Sequence, residues 1–258
     1  MLYPPFLRAM ETVHIALAVA PVFLQAAVLL RLWRSGLFRR YHVFFAFVVF
    51  DLCSSAVLIP LWRMGPAAYA AFFYAYWAVQ AIGALLSFAV LWEIYRAALG
   101  AYEGLRRLMD NVFSGMIVVL LLISVVLAAW EPAAGPSRTT AAIMVLARSV
   151  HLVQAGLLLV LLLLKAELGL AWRHPLFGIA MGFALYATLQ VVIFAVRAQA
   201  GAVADPMLRL LGPVSYNLAA LTWLAYLWRP ERAPTALTPS LSADLLRWDR
   251  ALTEVWQR

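Results

Sequence analysis

Apolar residues in this chain come in long unbroken runs, with neither the two-residue alternation of a half-buried strand nor the narrow stripe of a water-facing helix. Seven runs lie at about 12–32, 41–62, 68–95, 112–130, 140–164, 175–197 and 206–228, each long enough to cross roughly 30 Å of hydrocarbon at about 1.5 Å per residue. Breakers separate them. Gly65-Pro66 follows the second run, Glu131-Pro132 and Gly135-Pro136 follow the fourth, Pro175 opens the sixth, Pro206 opens the seventh, and Pro230 comes just after it. Pro21 and Pro213 lie inside the first and seventh runs, where each bends its helix and frees a backbone carbonyl. The pattern predicts an all-α polytopic membrane protein, with a seven-helix transmembrane bundle over 1–228 and a tail over 229–258.

Composition agrees: of 258 residues, 66% are hydrophobic and 12% charged, far from the balance of a soluble domain. The net charge of +8 would point to nucleic acid if the basic residues formed a patch. They sit instead at the ends of apolar runs, which excludes that partner and sets topology. Fourteen (Arg31, Arg34, Arg39, Arg40; Arg96, Arg106, Arg107; Lys165, Arg173; five in the tail) fall on one side, against Arg8, Arg63, Arg138, Arg197 and Arg209 on the other. The positive-inside rule then puts the N-terminus outside, the C-terminus in the cytoplasm and the protein in the inner (plasma) membrane. Met1 to Glu11 lacks a basic leader segment, so the first run reads as a helix. Tyr41, Trp62, Trp92, Trp130, Trp172 and Trp228 read as interfacial anchors. The single cysteine, Cys53, excludes a disulfide and reads as a small packed side chain.

The tail begins with a Pro, Thr, Ser and Ala-rich linker, about 229–241. An amphipathic helix is expected over about 242–258, with Ser242 as N-cap and Leu245, Trp248, Leu252, Val255 and Trp256 as its apolar stripe. It would lie on the inner membrane surface or dock a cytoplasmic protein. Residues 97–110 of the third loop carry a weaker version of the same pattern.

Ionisable and amide groups at membrane depth are costly, so they carry the functional information. Asp51 lies near the middle of the second run, Gln80 of the third, Arg148, His151 and Gln154 of the fifth, Tyr186 and Gln190 of the sixth, and Ser215, Tyr216 and Asn217 of the seventh. Spacings of three place Arg148, His151 and Gln154 on one face that should point inward, with Asp51 as the partner of Arg148. Such a layer either glues helices together or lines a ligand pocket at the midplane, formed by Asp51, Gln80, Arg148, His151, Gln154, Tyr186, Gln190 and Asn217. His42, Glu93 and His174 gather at the basic ends, but without metal-site spacing. Interfacial histidines beside a Glu93–Arg96 ion pair are expected there. No metal, haem or other cofactor is expected, and no nucleophile–base pair marks an enzyme.

The seven-helix plan resembles rhodopsins in topology alone, since the only lysine, Lys165, is not in the last helix. No Pro-Gln pair of the small sugar transporters occurs, and helices 1–3 and 5–7 show no self-similarity. Phe44 to Leu58, Tyr74 to Arg96 (ending Trp-Glu-Ile-Tyr-Arg) and Leu246 to Arg258 resemble bacterial seven-helix membrane proteins of about this length. That likeness implies a helical bundle and no known activity. The expected function is a sensor or signalling module in the bilayer, alone or as a homo-oligomer. A transporter or permease with Arg148 binding an anion is the alternative, and a structural subunit of a membrane complex the third reading.

Overall fold

The computed structural model describes residues 5–100, 102–130, 138–163, 174–200, 205–228 and 246–254. Among these the chain is all helical. Its elements are α1 (Pro5–Arg34), α2 (His42–Arg63), α3 (Tyr69–Ala98), α4 (Glu103–Trp130), α5 (Arg138–Leu163), α6 (Pro175–Ala200), α7 (Asp205–Leu227) and a short α8 over 246–254. The linker, both flanks of the expected tail helix, and the side chains of Trp130 and Trp172 lie outside what is described. Four stretches, His42–Arg63, Gly65–Ala98, Pro175–Val196 and Leu210–Leu227, are long and apolar enough to cross a membrane. At most 39% of each apolar window is buried within the protein, so most of that surface needs a solvent other than water.

Successive helices pack side by side, α7 closes back onto α1, and α3 runs inside the ring against α5 and α6. In lipid such packing depends on close approach of backbones, since hydrocarbon is as apolar as a leucine. Gly178 and Gly182, four residues apart on α6, supply it. A Cβ on Gly178 would run into the Tyr226 side chain, and one on Gly182 into the Trp223 indole. Trp223 Nε1 also donates to the Ile179 carbonyl at 3.2 Å.

The end of the bundle carrying Arg31 to Arg40, called here the basic end, is closed by side chains that cap other helices. Glu93 on α3, 8% exposed, accepts hydrogen bonds from the backbone N–H groups of Val43 and Phe44, both at 2.9 Å. These are free donors in the first turn of α2, where the helix dipole also favours a carboxylate. Arg31 Nε donates to the Leu227 carbonyl at 2.8 Å and caps the last turn of α7 in the same way.

Several expectations change. Glu93 faces His42 at 3.2 Å and not Arg96; Arg96 lies 3.4 Å from Asp110 and over the Trp92 ring at 4.8 Å. Capping two N–H groups of α2 draws Glu93 inward, which leaves Arg96 to the carboxylate that follows on α4. His174 sits beside Arg40 at 3.4 Å. Tyr41 is buried, and Trp92 donates to Asp110 at 2.7 Å, so neither is a free interfacial anchor, whereas Trp62 and Trp228 are exposed. Cys53 is on the exposed face of α2. The amphipathic part of the third loop belongs to α4, which starts at Glu103.

The described part of the tail, 246–254, touches the chain itself. Asp249 of α8 accepts from the Leu105 backbone N–H at 3.1 Å, which makes it an N-cap for α4 supplied in trans. Gly104 permits this approach, because a Cβ there would meet the Asp249 carbonyl and the Thr253 hydroxyl. Trp248 and Leu246 remain exposed.

Replacing Gly182 by Ala should lower stability in detergent by about 2 kcal/mol or more through overpacking. The same change at Gly115, which has open space around it, should be neutral or stabilising by up to about 1 kcal/mol. Thermal unfolding of the two variants beside the parent checks this. Asp249→Ala should cost about 1 kcal/mol at the α4 cap and raise hydrogen exchange in α8.

Candidate functional site

Polar residues that cannot face lipid turn inward, and in this bundle they leave a space between them. A cavity of ≈480 Å³ lies among α1, α2, α3, α5, α6 and α7. Of its lining residues, Asp51, Ser87, Tyr186 and Tyr216 sit near the middles of their helices, with Gln25 one turn after Pro21 on α1. From there it extends away from the basic end, past Gln190 and Phe194 on α6 and Gly212 on α7, with Tyr76 and Gln80 exposed at its rim. Toward the basic end Phe47 forms the floor. Phe44, Phe47, Phe183 and Trp223 pack there with ring centroids 5.0–6.2 Å apart, mostly edge to face, and close the bundle.

Asp51 is held by a neutral donor from another helix. Gln25 Nε2 on α1 donates to Asp51 Oδ2 at 2.9 Å and to the Tyr216 hydroxyl on α7 at 2.8 Å. One amide thereby ties α1, α2 and α7. Gln25 is 2% exposed, and its Oε1 has no hydrogen-bond partner among the described residues.

Of the eight residues expected to form the pocket, Asp51, Gln80, His151, Tyr186 and Gln190 line this cavity. Gln80 Nε2 donates to the Tyr76 hydroxyl at 3.3 Å, and Gln190 follows Tyr186 one turn on along α6. Arg148 does not join them; it is exposed on the outside of α5. The expected shared face fails on helical geometry. Each step of three residues slips by about 60°, so Arg148 and Gln154 end about 120° apart. The inward side of α5 is the one bearing Val150, Gln154, Leu158 and Leu161, all buried. The expected Asp51–Arg148 pair is therefore replaced by Asp51 with Gln25.

Gln154 is fully buried behind the cavity wall, its Oε1 3.2 Å from His151 Nδ1. This contact orients the His151 ring, which lies edge to face against Tyr186 at 5.3 Å. Asn217 has a backbone task. Its Nδ2 donates to the carbonyl of Leu17 at 3.1 Å and to that of Pro213 at 2.9 Å. Leu17 is four residues before Pro21, so this is the carbonyl that the missing proline N–H leaves free, satisfied from α7.

Sequence reasoning passed over Gln25, which carries the central contact, and the rim residue Tyr76. Gln25 is the lone amide inside the first apolar run, one turn after Pro21, and that isolation was its signal. Among the described residues no group of three or more His, Cys, Asp or Glu could hold a metal ion.

A double-mutant cycle separates the two possible partners of Asp51. Asp51 and Gln25 should couple by about 1 kcal/mol in detergent unfolding, whereas Asp51→Asn and Arg148→Gln should add within about 0.5 kcal/mol. Coupling to Arg148 instead of Gln25 would refute the arrangement.

No protein-family model, no curated protein and no solved structure matches the chain.

Proposed function

We propose that the chain spans the cell membrane seven times, with its N-terminus outside, and acts as a sensor-type module. It takes a small ligand from the outer side and passes the change to its cytoplasmic end. The observation that carries this reading is the asymmetry of the interior, polar and hollow in one half, closed by aromatic rings in the other. The excess of Arg and Lys at the closed end supports placing that end in the cytoplasm. A relay also has material. Rings touch in series from His151 to Tyr186, Tyr216, Trp223 and Phe44, with centroids 5.2–6.1 Å apart. Phe44 carries one of the two backbone N–H groups held by Glu93. At the same end α8 rests on the first turn of α4, where a shift in α3 or α4 would change how α8 is held.

A second reading, a permease, draws on Pro21 and Pro213. Both line the cavity, in helices that pack against each other, and such bends allow a cavity wall to rearrange.

Cysteine labelling with a membrane-impermeant maleimide tests both readings, in a Cys53→Ser background. In intact cells Gln80→Cys should react and Ser35→Cys, at the basic end, should not. The reverse pattern would overturn the orientation. Ser87→Cys, on the cavity floor, should react only from outside in a sensor. Reaction from both faces, seen with inside-out vesicles, would identify the permease.

A further inference from the structure

We infer that the ligand of this cavity is an organic cation, a compact ammonium group held by the Asp51 carboxylate and the faces of surrounding aromatic rings. The inference deepens the ligand-site reading above and rests on it. Its first support is charge. Among the described residues, Asp51 is the only acidic one lining the cavity, and no Lys or Arg lines it. Arg148, the one arginine at similar depth on α5, is exposed on the outside of the bundle. Gln25 is neutral, so it satisfies a hydrogen bond without cancelling a negative charge. A carboxylate offers about four acceptor positions, and the Gln25 donor leaves room for others. Among the described residues the wall thus offers a carboxylate and no positive group, which suits a cationic donor and repels an anion.

The second support is the arrangement of rings. Phe47, Tyr76, Tyr186, Phe194 and Tyr216 line the space with His151. Tyr186 stands nearly perpendicular to both Tyr216 (85°, 6.0 Å) and His151 (84°, 5.3 Å). These rings line adjoining walls, and an ammonium group seated against a ring face is attracted by the ring quadrupole. The volume of ≈480 Å³ falls in the range of small-molecule sites.

The test uses the full-length chain in an uncharged detergent and three probes of matched shape: choline, its neutral isostere 3,3-dimethylbutan-1-ol, and the anion 3,3-dimethylbutanoate. Calorimetry should show choline binding about tenfold or more tighter than the alcohol, and the anion not at all. Asp51→Asn should bring choline down to the level of the alcohol. Tyr76→Leu, at the rim, should weaken choline several-fold and leave the alcohol unchanged. Equal binding of choline and the alcohol overturns the inference while the cavity stands as a ligand site. So does choline affinity that Asp51→Asn leaves untouched. Should Asp51→Asn not fold, the choline-to-alcohol ratio in the parent and its fall in Tyr76→Leu decide the matter. Absence of binding by all three overturns the inference, and Ser87→Cys labelling from outside then shows whether the cavity still stands as an accessible site.

Discussion

A polar group that turns into the bundle at membrane depth must find its partner inside the protein, because hydrocarbon supplies neither donor nor acceptor; Arg148, exposed on α5, does not turn inward. The Asp51 carboxylate shows how far that constraint reaches. Gln25 from α1 donates to it and to Tyr216 of α7, residues far apart in sequence, and so fixes how three helices meet. The same rule accounts for the other long-range polar contacts. Asn217 reaches the carbonyl that Pro21 frees, Glu93 holds the first turn of α2, Arg31 the last turn of α7, and Asp249 the first turn of α4. In each case a side chain on one helix satisfies a backbone group that helical geometry or a proline leaves open.

Packing divides the interior in two. Toward the basic end, Gly178 and Gly182 remove the side chains that would hold α6 and α7 apart, and Trp223 and Tyr226 occupy the space. Four large rings then meet with little void, and dispersion across the close backbones holds the helices together. Beyond Phe47 the α6 residues Tyr186, Gln190 and Phe194 turn toward polar groups on facing helices, and the packing opens into the cavity. Phe47 belongs to both regions, so a molecule seated against it would press on the aromatic core.

The basic end is rich in contacts that tie consecutive elements. Trp92, Arg96 and Asp110 form one cluster between α3 and α4, and Arg107 pairs with Glu103 at 2.6 Å within the first turns of α4. Surface ion pairs of this kind contribute little energy on their own. Their effect here is geometric, since they set the path of the chain between α3 and α4 and with it the surface on which α8 rests.

Long apolar runs, their proline and glycine boundaries and the charge at their ends were legible from residue order alone, because lipid solvation requires length and hydropathy and little else. That sufficed for an all-helical chain, for helix positions to within a turn or two in most cases, and for five of the cavity residues. What residue order left open was rotation about each helix axis. Arg148 and Gln154 share a segment and a depth, yet a difference of about 120° puts one outside the bundle and the other in its core. Rotation is decided by which helices become neighbours, and that follows from the close approach at Gly178 and Gly182 and from pairs such as Gln25 with Asp51, whose members are remote in sequence. For the same reason Glu93 was assigned to the nearest cation along the chain, whereas in the fold it caps a different helix altogether.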